Sequence, residues 1–284
     1  MPAAWASPGQ RPDDNLVGYL VESGLAGPVA TPTRASLENC RRLVNGEPDY
    51  TFGLSDWRHT TYEEALAAVR AAGGPRVVAD AADSDHGCID PDATMAGIRT
   101  HRRVLASLVA GGGGRVLLAT GHPFALLAHY EALSRALAVA GCEVLRPLEG
   151  SGLSLRNGQG RPCGLRYLDG VASLFYEAAL QHTHRPDYME AMLEEVIGPG
   201  GVDLVIADHG FAGAAIEAGV PTISLADVND PALPLAQARG RTDGVLMIDD
   251  GLDAWRFEPV TAAMLDWAVE DLPMRSGTAA GGEG

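Results

Sequence analysis

VDLVIADHGFAGAAIEAGVPTISLA, residues 202–226, is the stretch whose reading decides the fold. Val202–Ala207 is a continuous apolar run of strand length, and Thr222–Ala226 is another. A Gly and an Ala-rich helix lie between them. An apolar strand, a helix and a second apolar strand imply a parallel sheet with helices packed on it. The first strand stops at Asp208 and His209, two titratable residues that gain nothing structurally at the mouth of a core strand.

The alternation continues on both sides. GGGG at 111–114 stops a helix that Asp90-Pro91 opens as N-cap and N1 proline and that reaches Ala110. Arg115–Thr120 is a strand, and Pro123 opens a helix with Leu126, Leu127, Tyr130, Leu133 and Leu137 on one face, ended by Gly141. Further strands are expected at Arg76–Ala79, Glu143–Arg146, Val171–Tyr176 and Val245–Ile248. Residues 149–163 read as a Gly- and Arg-bearing loop or hairpin. Pro186 starts a helix with Tyr188, Met189, Met192, Leu193 and Val196 on one face.

Upstream, two helices flank a Pro-Thr segment within residues 15–45, and Thr60-x-x-Glu63 is a capping box for the helix Tyr62–Ala72. The expected architecture is α/β, a mostly parallel Rossmann-like sheet with helices on both faces and an N-terminal helical embellishment. No internal repeat or dividing linker is evident, so residues 15–272 read as a single domain, with 1–14 and 275–284 as flexible tails.

Composition narrows the function. The 284 residues are 46% hydrophobic and 20% charged, as in soluble globular proteins, and the formal net charge is −16. No basic stripe is present, which argues against nucleic acid as a partner. No apolar run is long enough for a membrane span and no signal peptide is recognisable, so the expected location is cytoplasmic. Cys40, Cys88, Cys142 and Cys163 are scattered without a C-x-x-C pair and read as reduced thiols. A phosphate ligand in so acidic a chain needs a local offset: a metal, a helix N-terminus or an Arg.

In open α/β sheets, ligands bind beyond the carboxyl ends of the strands. Four strands here end in titratable residues: Thr120-Gly121-His122-Pro123, Asp208-His209-Gly210, Asp227-Val228-Asn229-Asp230-Pro231 and Asp249-Asp250-Gly251. Any one of these is equally a helix cap or turn former; four along one rim favour a site. His182-x-His184, if extended, points two imidazoles to one side, spaced for a single ion, and Arg185 follows. Asp83-Ser84-Asp85-His86 is either a solvated loop or part of the site. Mixed Asp, Asn and His is the ligand palette of Mg, Mn, Fe and Zn. Phosphate loops, nucleophile elbows, cysteine-phosphatase loops and aspartyl-phosphate motifs are absent, so the reading is metal-assisted attack by water.

TGHPFALL (120–127), HTHRPDYMEAML (182–193), ADHGFAGAAIEAG (207–219), ADVNDPAL (226–233) and IDDG (248–251) resemble an actinobacterial family of proteins classed as phosphatases. GPVATPTRASLENCRRLVNGEPDYTFGL (27–54) and CIDPDATMAGI (88–98) are similar to its opening blocks. The resemblance, over about residues 15–270, implies a cytosolic α/β phosphoric monoester hydrolase. This chain departs from it at Thr33-Arg34-Ala35-Ser36, where the family has Arg-Glu-Asn-Asn, and around Trp57–Asp85. A changed substrate block fits an enzyme of a specialised biosynthetic pathway.

The expectations are therefore specific. His122, His209 and Asp208 are the catalytic candidates, and Asp208, Asp227, Asp249 and Asp250 are the ligands of a divalent metal, Mg or Mn ahead of Zn or Fe. Thr120, Gly121, His182, His184, Arg185, Asn229 and Asp230 contact a small phosphate ester such as a sugar or nucleoside phosphate. Two alternatives use the same rim: a non-hydrolytic isomerase or lyase, and a metabolite-binding protein without catalysis. Homodimer formation is left open.

Overall fold

A computed structural model describes residues 12–77, 86–152, 154–196 and 200–266. Eleven strands run through these residues: β1 (Gly27–Val29), β2 (Gly87–Ile89), β3 (Arg115–Thr120), β4 (Glu143–Val144), β5 (Leu155–Arg156), β6 (Pro162–Leu168), β7 (Val171–Tyr176), β8 (Ala179–Leu180), β9 (Leu204–Asp208), β10 (Thr222–Ala226) and β11 (Gly244–Met247). β1 and β2 form a small antiparallel pair. The main sheet has the order β11-β10-β9-β3-β7-β6-β5, with β4 beside β3 and β8 beside β7.

From β11 to β7 neighbouring strands are parallel, and β6, β5 and β8 extend that end of the sheet antiparallel. The parallel strands are buried along nearly their whole length and mostly apolar, because both faces are covered. β9 and β10 are buried at all five positions, and β3 at all but its first. The helices form two packed groups on opposite faces: Pro91–Ala110, Pro123–Val139 and Glu258–Leu265 on one, and Tyr62–Gly73, Asp187–Val196, His209–Glu217 and Ala232–Ala238 on the other. The mostly parallel α/β architecture read from the sequence is the observed one.

Three local expectations are corrected. The capping box is Thr61 with Glu64, one residue later than expected. The Thr60 hydroxyl is already spent, donating to the Asp56 carbonyl at 2.7 Å. Glu143–Arg146 shortens to two strand residues, because β4 pairs with Arg115–Val116 while β7 occupies β3 from Leu118 onward. Arg76 and Val77 form a turn, and the remainder of that expected strand lies outside the described residues. The loop or hairpin at 149–163 is a hairpin, with Leu155 opposite Cys163.

The connections place a topological switch between β3 and β9. The chain leaves β3 towards β7 on one side and returns at β9 on the other, continuing outward to β10 and β11. The crevice at such a switch, beyond the carboxyl ends, is where open α/β sheets bind ligands. The register aligns the ends of the strands there, with Ala119 beside Ala207, Asp208 beside Leu225, and Ala226 beside Met247.

Candidate active site

Backbone geometry at the switch is set first by His209. It is the first residue of the helix His209–Glu217 and has φ 46°, in the left-handed region. Non-glycine residues there cost free energy and persist only where packing enforces them. Packing is tight: a Cβ on Gly210 would lie 2.2 Å from the His184 carbonyl oxygen, and one on Gly213 2.1 Å from that of Phe52. The turn thrusts the His209 ring into the crevice rather than along the helix.

Four imidazoles meet there. His184 stacks on His209 with centroids 4.6 Å apart, His122 stacks on His182 at 4.6 Å, and His182 lies 4.8 Å from His184 and 5.2 Å from His209. Phe52 closes one side, edge-on to both His184 and His209. His184 Nδ1 is 2.9 Å from the Asp49 carbonyl, which fixes Nδ1 as the protonated nitrogen and turns the Nε2 lone pair towards His182 Nε2, 3.1 Å away. Thus His182-x-His184 does present both rings to one side.

Carboxylates surround the imidazoles on the inner side. His209 Nδ1 lies 3.0 Å from Asp208 Oδ1, and Nε2 lies 3.5 Å from Asp230 Oδ2 and 3.4 Å from Asp250 Oδ2. Asp250 Oδ1 is 3.5 Å from His122 Nδ1. Asp208 is fully buried behind His209 and accepts the Gly121 N–H at 2.7 Å. Asp227 accepts the Val228 N–H and the Thr31 hydroxyl, and its own N–H donates to Asp230 Oδ2. Asp249 accepts the N–H groups of Ala30 and Gly251, each at 3.0 Å.

This crowding divides the protonation states. Burial disfavours a charged His209, but Asp230, Asp208 and Asp250 outweigh it and hold the imidazole pKa well above its ordinary value. Burial would raise Asp208 and Asp230, yet the His209 cation and local hydrogen bonds bring both below the usual carboxylate range. Asp227 is pushed well up, by burial and then by Asp250, Asp249 and Asp230. His122 is raised: burial opposes its charge, and Asp250 prevails. Burial and the neighbouring imidazoles push His182 down to about 3 and lower His184 as well. His209 is therefore held in its charged form and His182 and His184 in their neutral form, while His122 is biased towards the charged form.

The donor set suits a cation. Among the described residues, two trios each place one ligand atom per residue within 4.8 Å of the others: His122, His182 and His209, and His209, Asp230 and Asp250. His122 Nδ1, His209 Nδ1, Asp208 Oδ2 and Asp250 Oδ2 are buried without an aligned hydrogen-bond partner. Buried polar atoms are seldom left so, and imidazole nitrogen with carboxylate oxygen is a common divalent-metal donor set.

The remaining expected residues fall in different places. Of the four Asp expected to bind metal, only Asp250 belongs to a trio. Asp208 stands behind a candidate ligand, and both oxygens of Asp227 and Asp249 already accept hydrogen bonds. Carboxylates that follow buried strands meet the backbone N–H groups of adjoining segments and are capped by them. Thr120 is fully buried and its hydroxyl accepts the His122 N–H; the Gly121 N–H is taken by Asp208 and its carbonyl by Thr183. Neither presents a free group to a substrate. Arg185 is paired with Asp187 through two hydrogen bonds, at 2.9 and 3.0 Å, instead of facing the rings.

Asn229 is half-buried, and its carbonyl accepts the Asn39 side chain. His86 faces the Val29 carbonyl, while Asp83 and Asp85 lie outside the described residues. Ala30, Thr31, Asp49 and Phe52 complete the site and were missed by sequence reasoning, although the ATPT stretch stood out. The Cys residues are free thiols, three of them buried. Among the described residues no helix is long and apolar enough to cross a membrane.

Comparison with known proteins identifies the family. Residues 11–271 match the model of a family described as Phosphatase. A curated Streptomyces coelicolor protein named Phosphatase SCO2771 is 36% identical over 264 residues, covering 91% of this chain and 97% of that protein. Both the reach of the family match and the identity across the full length lead to one statement: the chain belongs to the Phosphatase family.

Proposed function

We propose that this protein is a metal-dependent phosphomonoesterase acting on a small phosphorylated metabolite. The observation that carries the reading is the convergence of four imidazoles on Asp208, Asp230 and Asp250 at the β3–β9 switch point, in a member of the Phosphatase family.

His209, Asp230 and Asp250 would hold the cation, since this trio is buried throughout and includes an unpartnered Asp250 oxygen. Asp208 would act behind it, orienting His209 through Nδ1 and raising its basicity, as carboxylates do behind metal-ligating imidazoles. His209 must lose its proton to bind a metal, so loading should release protons. With imidazole among the donors, Mn, Zn or Fe suits the site better than Mg, which favours oxygen ligands. When bound, such an ion polarises a phosphoryl oxygen and lowers the pKa of water.

The chain's own groups do the rest. His122, with one-fifth of its side chain exposed and Asp250 beside Nδ1, is placed to hold a proton for the leaving oxygen. His182 and His184 are kept neutral and hold each other through their Nε2 atoms, so they wall the crevice without adding a charge of their own. The helices Pro123–Val139 and His209–Glu217 both begin at the crevice, directing the positive ends of their dipoles towards an anion. His209 is poorly placed as a covalent nucleophile, since its Nε2 faces two carboxylates and it is held in the cationic form.

The test is phosphate release from an aryl phosphate after chelation and titration with Mn, Zn, Fe or Mg. Activity should return with a metal and fall at least about a hundredfold in His209→Asn. Turnover indifferent to chelator, or absent with every metal, would overturn the reading.

A further inference from the structure

One face of the helix Thr33–Val44 is not used by the chemistry above. Thr33, Ser36, Cys40 and Leu43 point into the protein, which leaves Arg34, Glu38, Arg41 and Arg42 together on the other side at helical spacing. These four, with Asn39 and Tyr50, line a cavity of about 540 Å³. In a chain of net charge −16, a groove with three Arg and one Glu is a local reversal of sign.

Two contacts join this groove to the active site. Tyr50, in its wall, lies edge-on to His184 with centroids 6.4 Å apart. Asn39 donates to the carbonyl of Asn229 at 2.8 Å, so the groove rests on the loop that supplies Asp227 and Asp230. The Arg42 guanidinium lies 4.9 Å from the centre of the Tyr50 ring and donates to its hydroxyl, while its Nε donates to Glu38 at 3.2 Å. Arg41 Nη1 is 3.5 Å from the other Glu38 oxygen. Glu38 thus serves as an internal counter-anion between two Arg. An incoming carboxylate or phosphate can take over that role, because planar guanidinium groups recognise both through paired N–H groups.

We propose that the groove recognises a second anionic group, carboxylate or phosphate, on the substrate whose phosphate ester sits among the imidazoles. The inference rests on the phosphatase reading and names the class of substrate: phosphate monoesters carrying a further acid. It also gives a use to Arg34, in the block Thr33-Arg34-Ala35-Ser36 where this chain departs from its family resemblance.

Matched esters provide the test. 3-Phosphoglycerate and glycerol 3-phosphate differ in a carboxylate against an alcohol; fructose 1,6-bisphosphate and fructose 6-phosphate differ in a second phosphate. For at least one pair the more acidic ester should have a KM lower by about tenfold, the worth of a charge-assisted hydrogen bond, and the preferred pair identifies the acid. Arg42→Ala should reduce the preference to under about threefold, with Arg42→Lys intermediate. Glu38→Gln should sharpen it, because the competing carboxylate is gone; a merely structural pairing predicts no gain.

Hydrolysis without preference in either pair, or a preference unmoved in both Arg42→Ala and Glu38→Gln, overturns the groove and leaves the phosphatase reading standing. If no ester is hydrolysed, the phosphatase reading fails. The same esters, unconsumed, are then titrated calorimetrically, and equal affinity within each pair overturns the groove as well.

Discussion

Asp208 shows how far a single residue could be read. Its position after a buried apolar run marked it for function, and it lies in the cluster; its orientation could not be read, because that depends on Gly121, 87 residues earlier in the chain. The same holds for Asp49 and Thr31, whose contacts with His184 and Asp227 span 135 and 196 residues. No local pattern encodes such pairs. Asp208→Asn keeps an oxygen for the Gly121 N–H and removes the charge facing His209. Metal affinity, measured by titration of the chelated protein, should fall about 10- to 100-fold with the fold intact. A change under roughly twofold would show that Asp208 does not support His209.

At the scale of elements, strands and helices were legible wherever a continuous apolar run or a 3.6-residue period ran unopposed, as in β3, β10 and the helix opened by Pro123. Errors arose where two local solutions competed, Thr60 against Thr61 as a cap, or where β4 met an edge already taken by β7. The helix His209–Glu217 could be foreseen, but not its close approach to the short helix Pro48–Thr51 and Phe52. Gly213→Ala would drive a methyl group into the Phe52 carbonyl. Unfolding in urea should show a loss of about 1–3 kcal/mol, with reduced activity because Phe52 braces two of the imidazoles. Wild-type stability in that variant would mean that the two elements part easily.

For the whole molecule, one pH signature comes from histidines outside the site, and His182 within it acts in the same direction. His101 and His129 are wholly buried, on the helices Pro91–Ala110 and Pro123–Val139, and burial pushes them down to about 4 and about 3. Their unfolded values are near 6.5, so the unfolded chain binds protons that the folded one refuses. Stability should hold above pH 6.5 and decline as the pH falls towards 4, by up to about 1.4 kcal/mol per pH unit for each imidazole. Denaturation midpoints across that range would show it, and His129→Gln should flatten the slope; an unchanged slope assigns the acid sensitivity elsewhere.

The hydrogen bond from Ala30 to Asp249 also bears on how the protein is made. The two partners are separated by 219 residues, so the chain's opening segment leaves the ribosome long before the acid that anchors it has been synthesised. Thr31 can dock only once Asp227, after β10, has been made, and Ala30 only once Asp249, after β11, has been made. These two contacts therefore form late in assembly, after the strands that carry their partners.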